Sequence, residues 1–150
     1  MAPKPSFKPC LTVITLGVSD MKTSIRFYQE LGFDRRAKAT GEEVAFFDAG
    51  GVVLALYPWD KLAEDATLWD KPRPQAFRGM TLAWNRSTPE EVDTAMAHAL
   101  AVGGQPLKEP HQTSYGGYAG YFTDPDGHPW EVVCAPGIEV QSDGRVLIVD

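Results

Sequence analysis

The sequence predicts an α+β domain of two tandem β-α-β-β-β modules, whose curved mixed sheet surrounds a cup, followed by a C-terminal β-hairpin. Three observations predict it. The order strand, helix, glycine stop, three strands occurs twice. The copies keep nearly constant spacing: Thr15-Leu16 and Thr81-Leu82 are 66 positions apart (81 − 15), and the stops Gly32 and Gly103 are 71 apart (103 − 32). The chain has 150 residues, 43% of them hydrophobic and 23% charged, which suits one domain with a real core. Helices packed on one face of each sheet leave the other face free, and two free faces make the cup.

The elements follow in order. Leu11 to Val18 is β-branched and apolar, and reads as a strand. Ser19 or Asp20 caps the helix after it, in which Met21, Ile25, Tyr28 and Leu31 fall at helical spacing before Gly32. Three short strands are predicted at Phe33–Ala39, Glu43–Ala49 and Val52–Tyr57, with Gly50-Gly51 as a turn. This first module covers about 10–58, and about 59–77 is a proline-containing linker with a short helical piece near Lys61–Ala66. The second module, about 78–136, opens with a strand at Gly79–Trp84. Thr88-Pro89-Glu90-Glu91 then starts a helix whose stripe is Val92, Ala95, Met96, Ala99 and Leu100. Strands follow at Gln105–Lys108, Tyr118–Thr123 and Pro129–Ala135. The tail, about 138–150, reads as strand, turn at Ser142-Asp143-Gly144, strand; it covers a sheet edge or mediates self-association.

Composition excludes several classes. The net charge of −6 and the lack of a basic cluster beyond Arg35, Arg36 and Lys38 argue against nucleic acid as a partner. No apolar run approaches the roughly 18 residues of a membrane span. The opening, Met1 to Pro9, lacks the apolar stretch of a secretory signal, so a cytoplasmic protein is expected. Cys10 and Cys134 form no metal or redox motif and read as buried thiols of a reducing compartment.

Two segments carry a resemblance. Leu16-Gly17-Val18-Ser19-Asp20-Met21, followed by Ser24, Phe27-Tyr28 and Leu31-Gly32-Phe33, resembles the opening of the vicinal oxygen chelate superfamily. Asp124-Pro125-Asp126-Gly127-His128-Pro129-Trp130-Glu131 resembles its closing motif. That group includes glyoxalase I, extradiol dioxygenases, fosfomycin-resistance enzymes and bleomycin-resistance proteins. The resemblance spans about Leu11 to Pro136, and implies the paired-module fold that the residues predict independently. The DPDG run has a local reason as well: Pro125 presets a turn and Gly127 tolerates a positive φ, which places Glu131 on the next strand.

Metal-using relatives draw His or Glu ligands from the first and last strands of each module, and the ion acts there as a Lewis acid. Carried over singly, the first position falls on Val13, the second on Leu54 or Ala55, the third on Gly79 or Met80, and only the last on a donor, Glu131. One donor of four does not hold a catalytic metal, so neither a metal nor another cofactor is expected. His98 is placed on the solvent face of its helix, His128 in the turn before the last strand, and His111 in a loop.

With Glu131 facing the cup, strand alternation sets the rest of the lining. Val133 joins it, with Val13 and Thr15 from the first strand, Thr81 from the second module, and Tyr121 by resemblance to fosfomycin-resistance members. Leu54, Leu56 and one of the Phe46/Phe47 pair, taken as Phe47, complete the set. Trp59 and Trp69 either overhang the mouth or pack on the domain, while Trp84 and Trp130 fall on the helix side. The lining is apolar with few polar groups, as in a small-molecule pocket or a filled interior. Glu131, with Tyr121, serves acid–base chemistry or a cationic ligand; otherwise it is an inherited carboxylate hydrogen-bonded to a neighbour.

The reading that follows is a protein binding a small, mostly apolar or aromatic molecule, without the family's metal. One alternative is a lyase, isomerase or dioxygenase-like enzyme acting on a small carbonyl compound or conjugate, with Glu131 and Tyr121 catalytic. A second is a non-catalytic interaction module. By resemblance the assembly is a homodimer.

Overall fold

The computed structural model describes Ala2 and residues 6–149. Met1, Pro3, Lys4, Pro5 and Asp150, at the ends of the segments read above as an opening without an export signal and as a hairpin, lie outside the described residues. The first module runs β1 (Val13–Val18), α1 (Met21–Leu31), β2 (Asp34–Arg36), β3 (Ala45–Asp48), β4 (Val53–Pro58). The second runs β5 (Leu82–Asn85), α3 (Pro89–Ala101), β6 (Gln105–Gln112), β7 (Tyr118–Thr123), β8 (Pro129–Cys134). Between them lies α2 (Trp59–Asp65), which starts two residues before the predicted piece. The sheets have matching orders, β1-β4-β3-β2 and β5-β8-β7-β6, with the first pair of each parallel and the others antiparallel. The duplication read from the sequence is therefore a duplication of topology, expressed as two four-stranded sheets.

Local chemistry explains the helix ends. Asp20 accepts a hydrogen bond from the Thr23 backbone N–H at 3.3 Å and another from the Thr23 hydroxyl at 2.8 Å, and Gly32 ends α1 at φ +122°. Thr88 accepts from the Glu91 N–H at 3.2 Å, while Glu91 reaches back to the Ser87 N–H at 2.9 Å. The helices share one core. Leu16, Tyr28, Phe47, Leu54 and Leu56 from the first module pack with Val92, Met96, Phe122, Trp130 and Val132 from the second.

Some boundaries differ from expectation. β6 is twice its predicted length despite Pro106 and Pro110; it is the edge of its sheet, and its register on β7 shifts between Pro106 and Lys108 and between Lys108 and His111. Gly79 takes φ +78° in a turn, so β5 begins at Leu82 rather than Gly79. Cys10 is exposed and Cys134 part-buried, which corrects the expectation of two buried thiols; the Cys134 thiol donates to the Ser87 carbonyl at 3.4 Å. The tail forms β9 (Ile138–Val140) and β10 (Val146–Ile148), an antiparallel hairpin. Its tip crosses to the first module: a Cβ on Gly51 would lie 3.3 Å from the Arg145 side chain.

Candidate binding site on the concave faces

Residues paired across a ladder share a face. On the side away from α1 and α3, Thr15 pairs with Ala55 and Ala55 with Phe46. The second module repeats this row: Ala83 pairs with Glu131, Glu131 with Tyr121, and Tyr121 with Lys108. The row gives the concave face an acid, a phenol and an ammonium in succession. Val133 pairs with Ala119, and in module 1 Val13 pairs with Val53. Val13, Thr15 and Thr81 are exposed, and Glu131 and Tyr121 are half-buried.

Three of the expected lining residues stand elsewhere. Phe47 pairs with Leu54, Leu56 pairs with Ala45, and all four side chains are buried in the core beneath α1. The Phe47 ring centroid is 6.0 Å from that of Tyr28. The physical reason is size. The helix face must be filled, so the leucines turn to it and Ala55 is left for the cup. Phe46, the other member of its pair, takes the concave side. The run Val52–Tyr57 is apolar throughout, and alternation alone could not choose its face. Its parallel pairing with β1, which sets Thr15 beside Ala55, is the signal that decides. Lys108 was missed because its strand was read without a register.

Trp59 lies over the concave side of β1, against Gly17, where a Cβ would come within 3.1 Å of its ring. The protein's own groups occupy that ring. The guanidinium carbons of Arg73 and Arg78 each sit 4.8 Å from its centroid, and the His128 imidazole stacks on it at 5.9 Å and 15°. Trp59 therefore fastens the linker and is not an open platform. Trp69 is 72% exposed. Trp130 is buried and Trp84 part-buried against the core, on the helix side.

His128 is buried, and its partners fix its tautomer. Nε2 lies 2.8 Å from the Gly17 carbonyl, which only accepts, so Nε2 carries the proton. Nδ1 lies 2.8 Å from Arg78, which only donates, so Nδ1 accepts. His98 is exposed and contacts the Glu30 carbonyl at 2.9 Å, which ties α3 to α1. His111 lies in β6 and contacts the Glu109 carbonyl at 3.1 Å.

The turn between β7 and β8 joins the modules. Asp124 is buried, accepts the Asp126 and His128 backbone N–H groups at 2.9 Å each, and accepts the Tyr28 hydroxyl at 2.7 Å. The Trp130 indole donates to that same hydroxyl at 3.1 Å. Burial pushes the Asp124 carboxyl up, and burial together with the Asp124 charge pushes the Tyr28 phenol far up. Asp126 accepts from the Ser19 N–H at 2.8 Å and the Ser24 hydroxyl at 3.2 Å. On the concave face, Tyr121 is pushed up to about 12, first by desolvation and then by the Glu131 carboxylate beside it. At neutral pH it is a hydrogen-bond donor next to an acceptor.

Of the positions carried over from metal-using relatives, only Glu131 bears a donor. Leu54 faces the core, so the concave counterpart of Glu131 in module 1 is Ala55. No three His, Cys, Asp or Glu side chains converge among the described residues. The set does not fit a divalent ion, which needs three or four protein donors.

Residues 11–132 match the sequence model of the Glyoxalase/Bleomycin resistance protein/Dioxygenase superfamily. The chain belongs to this superfamily. A glyoxalase-related enzyme from Fulvimarina pelagi is 34% identical, over 94% of this chain and 99% of that one, with a TM-score of 0.83. A glyoxalase/bleomycin resistance protein/dioxygenase from Nocardioides is 26% identical, over 89% and 88%, with a TM-score of 0.72. A lactoylglutathione lyase from Agrobacterium tumefaciens, 23% identical over 87% and 95%, shares the fold at a TM-score of 0.63. This chain shares the superfamily's paired modules, and Glu131 stands on β8 of the second. At the other positions expected above to hold ligands stand Val13, Leu54 or Ala55, and Gly79 or Met80. No helix among the described residues is long and apolar enough to cross a membrane.

Proposed function

We propose that the protein binds a small, mostly apolar or aromatic molecule on the concave faces of its sheets, without a metal at the superfamily's ligand positions. The observation that carries this reading is the solitary carboxylate: Glu131 has Ala83 and Tyr121 as register partners, and Ala55 stands at its module-1 counterpart. Binding needs an apolar surface with a few directed polar groups, and Phe46, Tyr121 and Glu131 supply both. A thermal-shift screen of aromatic and cationic small molecules tests it, with stabilisation expected for at least one class and reduced in Glu131→Gln. No shift with any class overturns the reading. So does stoichiometric Ni, Zn, Fe or Mn in protein purified without chelator and lost in Glu131→Gln.

A second reading, metal-free acid–base chemistry on a small carbonyl compound, draws support from the pairing of Glu131 with a phenol held protonated to about 12. Turnover abolished by both Glu131→Gln and Tyr121→Phe favours it over binding alone. We also take the assembly to be a homodimer, located in the cytoplasm; light scattering at the mass of one chain overturns the former.

A further inference from the structure

A cavity of about 810 Å3 lies between the modules, apart from Glu131 and Tyr121. The topology makes it. β1 and β5 are each the edge of their own sheet, and both line the cavity, β1 through Ile14 and β5 along its whole length. The end of α1 and the turn before β4 close one side, the end of β5 closes the other, and the hairpin tip at Asp143–Val146 roofs it. Its volume lies in the range of small-molecule sites.

The lining specifies the ligand. Phe33, Trp84 and Trp130 present aromatic surface from both modules, which suits a flat ring. Four charged residues join them, and their spare hydrogen-bonding capacity is unequal. Asp48 accepts the Gly50 N–H at 3.0 Å and faces Arg36 at 3.9 Å. Asp143 accepts the Arg145 N–H at 3.0 Å and the Arg145 Nε at 3.1 Å. Both acids are thus engaged within their own turn or strand pair. The arginines have five N–H donors each. The Arg86 guanidinium contacts Glu91 at 3.2 Å through Nη2, and that of Arg145 contacts Asp143 through Nε alone. These are exposed or half-exposed pairs, which hold little energy and exchange readily. The unused groups at the cavity are therefore donors, and they call for an acceptor on the ligand.

We infer that this seam cavity is a second binding site, for a flat aromatic carboxylate, and that the C-terminal hairpin is its roof. The ring lies against Trp84, Trp130 and Phe33, and the carboxylate takes the free donors of Arg86 and Arg145. The site is independent of the concave-face reading, and the test separates them.

Isothermal titration of the full chain with 2-naphthoate, and with neutral 2-methylnaphthalene for comparison, provides that test. One naphthoate per chain is expected, with weaker binding of the neutral ring. Val146→Trp fills the cavity from the hairpin, where Val146 is 46% exposed and tolerates replacement, and is expected to abolish binding. Arg86→Gln is expected to weaken it roughly tenfold, the worth of a charge-assisted hydrogen bond. In the unmodified chain, naphthoate is expected to slow amide exchange over residues 143–146. The inference is overturned by no binding at millimolar naphthoate, or by wild-type affinity in both variants. Loss of affinity in Glu131→Gln overturns it too, because the carboxylate would then sit on the concave face.

Discussion

Tyr28 carries more structure than any other single side chain here. Its hydroxyl donates to the buried Asp124 carboxylate and accepts from the Trp130 indole, while its ring packs against Phe27, Phe33, Phe47 and Trp130. Tyr28→Phe keeps the ring and removes both hydrogen bonds, leaving a buried acceptor and a buried donor without that partner. The expected cost is about 2 kcal/mol, a fall of roughly 4–8 °C in Tm by calorimetry. An unchanged Tm would show that the Asp124 turn is held by its backbone donors alone. The sequence made Tyr28 visible as a helix-stripe residue, but not as a link to Asp124 across 96 positions. Spacing within a helix is local information, and a partner in the other module is not.

At the element scale, the boundaries with strong local chemistry were legible. Asp20 and Gly32 bracket α1 over the predicted residues, and Thr88-Pro89 starts α3 where expected. Which way β3 and β4 face was not legible, because Phe46-Phe47 and Val52–Tyr57 are apolar on both sides. Three expected lining residues, Phe47, Leu54 and Leu56, were given the wrong face by that ambiguity, whereas on β1 and β8 one polar residue each, Thr15 and Glu131, marks the face turned away from the core. The linker was read as a loop with a helical piece, and α2 shows why it has structure: Trp59 and Leu62 lie on Gly17. Gly17→Val is a direct test. The new Cβ would meet Trp59 at 3.1 Å and Leu62 at 3.4 Å, and the ring is hemmed in by Arg73, Arg78 and His128. Overpacking of this kind costs about 1–3 kcal/mol. Limited proteolysis is expected to cut residues 66–78 faster in the variant while sparing α1 and α3. Equal rates would mean that α2 does not depend on this contact.

For the whole molecule, the fold was legible because it is stated twice, and each copy corroborates the other. The expectation of no metal rested on apolar residues or glycine at three of the four aligned positions. The seam cavity was not, because it belongs to the space between repeats. Stability as a function of pH is a property at this scale. Tyr28, Tyr118 and Tyr121 all have phenols raised above the ordinary value of 10, Tyr121 to about 12. The folded chain therefore holds these protons more tightly than the unfolded chain. Their contribution is complete below pH 10 and is lost as the pH rises through the folded values, about 12 for Tyr121. Urea midpoints are expected to be level from pH 8 to about pH 9.5 and to fall beyond pH 10. A flat profile to pH 11.5 would contradict the upward shift of these phenols, which comes from burial at Tyr28 and Tyr121 and from the Asp93 hydrogen bond at Tyr118.

The β7–β8 turn has a consequence for the halves taken singly. Its aspartates accept from Ser19, Ser24 and Tyr28, and its histidine donates to Gly17, all in the opposite repeat. A fragment carrying only residues 78–149 would lose all four of these bonds and bare Phe122 and Trp130, which pack against the α1 rings of Phe27 and Tyr28. A fragment ending at residue 58 would lose the acceptors of Ser19, Ser24 and Tyr28 and the donor to the Gly17 carbonyl. Twofold in its strand order, the molecule is indivisible in its chemistry: cut at the linker, neither piece is expected to give a sharp unfolding transition until the two are mixed.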